Sequence, residues 1–348
     1  MKRISFYPLD LRDDNSYISR MYQAIKMVDK NVSIDNLSLK KNFRSFIHSD
    51  IFWLNWYESL DNRSLYTVIY SILRKMIELT LMKFCGGKIL VVVHNKQPHE
   101  VFYYRLNIWF MKFLLKCSRR IIILSDESKS IISDMIGTRG LKKTVKILHP
   151  SYKCIPKQYS SMRPERFTVL FSGLIRPYKN IELLLDLAIE HPDFDFIISG
   201  NVLDSAYGDI LNAKAKNASN IHLEYKYNTD EELNDLMEKA SVLVLPYHIK
   251  SSLNSGMAMY AFSKGLNVVI PEIGTVKELK NRDLVFTYTY ANEQEHYIAL
   301  EKALLEAYNL FINDYRRFVL RAETIRKEIE CNFSLEAISD QIREAHIL

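Results

Sequence analysis

The stretch FTVLFSGLIRPYKNIE, Phe167–Glu182, decides how this chain is read. Phe167–Ser172 is an unbroken apolar run of the kind that forms a strand buried on both faces. Ser172-Gly173 ends it, and Ile181, Leu184, Leu185 and Ala188 then repeat at helical spacing. Between strand and helix lie Gly173, Arg176 and Lys179. Glycine lets a ligand approach the backbone, and a helix start offers unpaired N–H groups. Two cations beside them make a candidate anion site, most simply for a diphosphate.

The same alternation extends in both directions. Runs at Arg3–Tyr7, Ser33–Leu37, Asp50–Leu54, Ile89–His94, Ile121–Ser125 and Val145–Leu148 predict one series of strands. Runs at Phe194–Ser199, Ile221–Leu223, Val242–Pro246 and Asn267–Pro271 continue the series that Phe167 opens. Helical patterns separate most of them, so the fold class is α/β with parallel sheets, twice over. Pro150, Pro156 and Pro164 mark the boundary region, His149–Glu165. The expected division is 1–155, a linker at 156–165, a second domain at 166–325, and a terminal helix at 326–348 that returns to the first domain. After about Asn292 only helical, charged sequence is expected.

A chain of 348 residues with 48% hydrophobic content has room for two cores. Residues 1–165 carry 28 Lys and Arg against 14 Asp and Glu, a balance of +14; residues 166–348 carry 19 against 27, a balance of −8. The first half should therefore meet something anionic. No helix-turn-helix or RNA-binding signature accompanies the charge, so nucleic acid is not the expected partner. The helical patterns Ser64–Phe84 and Tyr103–Arg120 mix aromatic and aliphatic residues with Lys and Arg. Each fits either a core-facing helix with a solvated basic edge or a helix lying on an anionic membrane surface, and the charge of this half favours the second. Cys85, Cys117, Cys154 and Cys331 are too scattered for a zinc site or a disulfide framework, which suggests a reducing, cytoplasmic setting. The N-terminal apolar stretch is too short for a signal peptide, and no run reaches the length of a membrane span.

A second candidate loop is SVLVLPYHIKSSLNSGMAMYAFSKGLNVVIPE, Ser241–Glu272. A strand ends at Pro246-Tyr247, and a helix is expected from Met257 to Lys264 with Gly265 as its stop. Asn254 or Ser255 is its cap, and Asn254, Ser255, Gly256 and Met257 would offer a second set of N–H groups to the same diphosphate.

These two segments, with VVVHNKQPHE (Val91–Glu100) and FWLNWYE (Phe52–Glu58), resemble the nucleotide-sugar glycosyltransferases of the GT-B fold, in the family 4-like group that builds bacterial polysaccharides. The resemblance spans nearly the whole chain. It implies two Rossmann-like domains facing each other across a cleft, with a helical tail. It implies a UDP- or GDP-sugar donor and a glycan or lipid-linked acceptor. No metal and no separate cofactor are expected; Arg176, Lys179 and the helix N–H groups would hold the diphosphate. It assigns the nucleoside to Gly200, Tyr225, Tyr227 and Tyr247, and the acceptor side to Asp14, Asn15 and Ser16, with Asp13 beside them. His94 would touch the donor sugar, and His99 or Glu100 would be the base, with Asp13 and Asp14 as runners-up. The group's paired glutamates are replaced here by Ser252 and Tyr260, its loop arginine by Leu174, and a frequent histidine by Asn55. Inversion is therefore favoured over retention. Two rival readings are a catalytically degenerate partner subunit and a sugar-nucleotide epimerase.

Overall fold

The computed structural model describes residues 1–11, 16–39, 42–96 and 102–348. The chain divides into two compact units, residues 1–150 with 333–348, and residues 151–332.

The first unit holds β1 (Arg3–Tyr7), α1 (Ser16–Val28), β2 (Ser33–Asn36), α2 (Phe43–Ile47), β3 (Ile51–Asn55) and α3 (Leu65–Phe84). It continues with β4 (Lys88–Val93), α4 (Tyr104–Cys117), β5 (Arg120–Ile123), α5 (Ser128–Ile136), α6 (Thr138–Leu141) and β6 (Thr144–Lys146). All strands are parallel, in the order β2-β1-β3-β4-β5-β6. β3 is buried at every position and β4 at all but its first, as a sheet covered on both faces requires.

The second unit holds β7 (Phe167–Ser172), α7 (Ile181–Glu190), β8 (Phe194–Ser199), α8 (Ser205–Ala215), β9 (Ile221–Glu224) and α9 (Asp230–Lys239). Then come β10 (Val242–Val244), α10 (Gly256–Lys264), β11 (Asn267–Pro271), α11 (Gly274–Lys277), β12 (Phe286–Tyr288), α12 (Glu293–Asn313) and α13 (Tyr315–Asn332). Its sheet, also parallel, runs β12-β11-β10-β7-β8-β9. The order reverses between β7 and β10, and in doubly wound sheets ligands bind at such a reversal. The first sheet has its own reversal between β1 and β3.

After α13 the chain returns to the first unit as α14 (Leu335–Glu344). Ile338 and Ile342 enter the core that also holds Met21, Ala24 and Ile25 of α1. The Ser339 hydroxyl donates to the carbonyl of Ala24 at 2.9 Å, and the Leu148 N–H donates to Gln341 at 2.8 Å.

Three expectations change. β12 was not anticipated; its three residues carry too short a pattern to stand out. β10 ends at Val244, before the expected Pro246, because proline has no N–H to give the ladder. The proline-rich stretch at 156–165 lies within the second unit and is fastened to it. There the Lys157 N–H donates to the carbonyl of Lys264 at 2.7 Å, and the Tyr159 hydroxyl to that of Gly265 at 2.9 Å.

Candidate functional site

In the second unit the loops after β7 and β10 meet at the reversal. Gly173 adopts φ +123°, a left-handed backbone natural to glycine. The pairing of β7 with β8 resumes beyond it, at Ile175 opposite Val202. Arg176, Pro177 and Lys179 follow, and Asn180 takes the left-handed conformation at φ 51°. The Asn180 amide donates to the carbonyl of Pro246 at 2.9 Å, tying the two loops together.

Lys179 is only 9% exposed. Its ammonium lies 5.6 Å from the Phe171 ring centroid and 5.5 Å from that of Tyr247. A Cβ placed on Gly173 would sit 3.2 Å from the Lys179 Nζ and 3.9 Å from the Met257 Cε. The lysine therefore rests against the bare glycine backbone, with ring faces for partners and no ion pair among the described residues. Burial, and next the half-buried Arg176, pull its pKa down to about 8.

Tyr247 is buried and hydrogen-bonded to Ser255; burial pushes its hydroxyl well above the usual tyrosine range. Tyr290 buttresses this loop, donating to the carbonyl of Tyr247 at 3.1 Å and accepting from the Ile249 N–H at 2.8 Å. Ser255, not Asn254, caps α10: its hydroxyl accepts from the Ala258 N–H at 3.1 Å. The helix begins at Gly256, one residue before the expected Met257, and stops at Gly265 with φ +81°. Ser255 has its own N–H on the Thr275 hydroxyl at 2.8 Å, a partner the sequence reading missed.

The other donor-side residues have varied surroundings. A Cβ on Gly200 would lie 1.8 Å from the carbonyl oxygen of Gly173, so Gly200 is needed for this close backbone approach. Tyr225 donates to the carbonyl of Gly208 at 3.3 Å, and Tyr227 is exposed. Ser252 is buried, and the Tyr260 ring packs 5.4 Å from that of Tyr152, so neither replaces a carboxylate with another acid. Lys264, within the same motif, is structural: its ammonium holds the carbonyl of Ile155, Asn234 and Glu238. The Asp-x-Asp sequence at Asp193-Phe194-Asp195 sits at the opposite end of β8 from Gly200, with Asp195 paired to Arg166 at 2.7 Å.

The first unit gathers a second cluster at its own sheet reversal. The amide nitrogen of Asn55, the last residue of β3, donates to the carbonyl of Tyr7 at 3.0 Å. That contact turns the Asn55 oxygen toward His94 Nε2, 3.2 Å away, so Nε2 carries the proton and Nδ1 is the acceptor nitrogen. Trp56 stacks on His94 with centroids 4.0 Å apart, and it holds φ 48°, unusual for a bulky residue. Tyr17 meets His94 edge-on at 5.1 Å and His149 at 4.9 Å. Burial, then the nearby His149, drives the His94 pKa far down, and burial takes His149 down to about 4. Both imidazoles are neutral at pH 7. Tyr17, Trp56 and His149 were not singled out in the sequence. His99, Glu100, Asp13, Asp14 and Asn15 lie outside the described residues, and Ser16 is described only as the first backbone position of α1.

No protein-family model matches the chain. A GDP-mannose:glycolipid 4-β-D-mannosyltransferase of Xanthomonas campestris is 27% identical over 201 residues, 56% of this chain and 53% of that protein. The chain thus spans about half the length of this curated relative. HepE of Anabaena, solved with UDP and glucose, superposes with a TM-score of 0.72 at 14% identity, covering 100% of both chains. Sucrose-phosphate synthase of Thermosynechococcus elongatus gives 0.72 at 12% identity, over 100% of this chain and 98% of its own. Two six-stranded parallel sheets with this likeness give the chain the GT-B fold.

Proposed function

We propose that the protein is a glycosyltransferase that moves a sugar from a nucleoside-diphosphate sugar to a hydroxyl of a glycan or lipid-linked oligosaccharide in bacterial surface polysaccharide synthesis. One observation carries this reading. Lys179 is a buried ammonium without a counter-ion among the described residues, set between a bare glycine loop and the start of α10. A buried charge of this kind is costly until an anion joins it. A diphosphate fits, because Arg176, the Lys179 ammonium and the first N–H groups of α10 are all donors. HepE was solved with UDP, and the Xanthomonas relative is named for GDP-mannose and a glycolipid, which supports a UDP- or GDP-sugar and a lipid-linked acceptor.

In transfer, the acceptor oxygen bonds to the anomeric carbon while the carbon–oxygen bond to the diphosphate breaks. The electron pair leaves on the β-phosphate, where Lys179, Arg176 and the α10 amides stabilise it without calling on a metal. The acceptor proton passes to a base on the first unit, for which Glu100 or His99 is the candidate. Neutral His94, fixed by Asn55 and Trp56, is suited to hydrogen-bond a sugar hydroxyl. With Ser252 and Tyr260 at the glutamate positions, inversion is the favoured course. The setting is the cytoplasm, with the first unit's basic helices on the inner face of the membrane; among the described residues no helix is long and apolar enough to cross it.

The same two positions favour one rival, a degenerate partner subunit that binds no nucleotide, or binds it without turnover. Incubation with UDP- and GDP-sugars and a membrane extract carrying lipid-linked acceptors separates them. Release of nucleoside diphosphate that needs the acceptor and survives EDTA is expected. Nucleotide binding with no release would assign the chain to the rival.

A further inference from the structure

At the end of α7 away from the donor loops, Glu190, His191 and Glu301 converge. Glu190 is the last residue of α7, His191 caps it, and Glu301 comes from the middle of α12. Two carboxylate oxygens and an imidazole nitrogen there lie within 4.8 Å of one another. His191 Nε2 stands 3.1 Å from Glu301 Oε1. Ligands on a tetrahedral zinc are about 3.4 Å apart, so side-chain shifts of about 1 Å close this set round an ion.

The imidazole is held in place by its surroundings. Its ring stacks on Phe194, with centroids 5.2 Å apart and the planes 11° from parallel. The His191 N–H donates to the carbonyl of Leu187 at 2.8 Å, and the His191 carbonyl accepts from the Asn220 amide at 3.3 Å. A ligand fixed in this way loses little freedom when it binds. The charges round it do not balance. Among the described residues neither glutamate pairs with a lysine or arginine, whereas nearby Asp186 is matched by Lys214 at 2.6 Å. The Tyr297 hydroxyl, one turn before Glu301, is shut off from water and makes no well-formed hydrogen bond. Burial first, then Glu190 and the negative charges of Glu301 and Asp186, push its pKa far up. Carboxylates this close repel one another, and a cation between them turns that repulsion into attraction.

We propose that Glu190, His191 and Glu301 form a binding site for a divalent first-row transition-metal ion, zinc foremost, that ties the end of α7 to the middle of α12. The mixed nitrogen and oxygen set selects against magnesium and calcium, which take oxygen ligands. The proton that Nε2 turns toward Glu301 leaves when the ion takes that lone pair. Tyr297 is the outer partner that orients Glu190. α7 starts just after Lys179 and has 10 residues, so the ion sits about 15 Å from the diphosphate donors. It is a brace and takes no part in sugar transfer. α12 in turn follows Tyr290, which holds the Tyr247 loop, so the brace joins two helices that both leave the donor site.

Titration of the protein, its four cysteines blocked, with zinc by calorimetry and with cobalt(II) by visible absorption tests this. One ion per chain is expected. At about 100 times its dissociation constant zinc should raise the melting temperature by roughly 5 °C, and magnesium and calcium should not. His191→Ala and Glu301→Gln should each weaken zinc binding by about 10-fold or more, and Tyr297→Phe by about 10-fold. Glu190→Gln, at an exposed position, should do the same with no packed side chain disturbed. In EDTA these variants should melt close to the wild type, because a partly exposed ion pair contributes little by itself. Unchanged zinc affinity in Glu190→Gln and Glu301→Gln would overturn the site, as would a folded wild type that binds neither zinc nor cobalt. The proposal does not depend on the transferase reading. Stabilisation by UDP or GDP should persist in EDTA, and its loss there would overturn the placement of the ion away from the diphosphate.

Discussion

A lysine left with a tenth of its surface in water loses much of the hydration that makes its charge cheap. Lys179 has two ring faces and cationic Arg176 as neighbours, and burial above all takes its pKa down to about 8. Between pH 8 and the ordinary lysine value of 10.5 the folded chain has released this proton while the unfolded chain keeps it. Stability of the free protein therefore rises with pH across that window, and below it the cost of burial is constant. A bound diphosphate reverses the preference and holds the proton on. Affinity for a nucleoside diphosphate should thus decline as pH passes about 8, and titration calorimetry above that pH should record proton uptake. Lys179→Ala should weaken diphosphate binding by roughly 10- to 100-fold, about the worth of one charge-assisted hydrogen bond, and leave the bare nucleoside nearly unaffected. Equal losses for the two ligands would remove Lys179 from the phosphate site. In the first unit, Asn55→Leu should release the His94 ring from its tautomer; turnover should fall with donor affinity kept, as steady-state kinetics would show.

At the scale of elements, the loops after β7 and β10 depend on one crossing of backbones. Gly200→Ala would put a methyl group into the Gly173 carbonyl, so the β7 loop must shift. A loss of about 1–3 kcal/mol is expected, together with nucleotide binding, and denaturant melts with and without UDP or GDP would measure both. The grouping of Gly173, Arg176 and Lys179 between β7 and α7 was legible because strand, glycine, cations and helix follow one another in sixteen residues. The tie between Asn180 and Pro246 was not, since it joins positions 66 apart. Asn254 and Ser255 are both good caps by type, and only the backbone path selects Ser255. The packing of Gly200 against the Gly173 carbonyl was not legible either, since it joins two loops. The aromatic setting of His94 was hidden for the same reason as the Asn180 tie: Tyr17, Trp56 and His149 come from three distant segments.

Over the whole molecule, two α/β series, the parallel sheets and the charge division were readable from runs of like residues. That a terminal helix returns to the first domain was an expectation of the sequence; the core it completes there required the structure. Ile338 and Ile342 complete a core begun more than 300 residues earlier. Ile342→Ala should cost about 2–5 kcal/mol, felt in the unfolding of the first unit. If thermal melts show no loss, α14 is not part of that core in solution.

Thermal unfolding of the wild type and of Lys179→Ala with UDP, GDP, ADP and CMP tests the central claim most directly. At about 100 times its dissociation constant, a bound nucleoside diphosphate should stabilise the wild type by about 2.7 kcal/mol. UDP or GDP is expected to do so, CMP is not, and the gain should be largely lost in Lys179→Ala. A folded wild type that none of these nucleotides stabilises, or a variant stabilised as much as the wild type, would contradict the account.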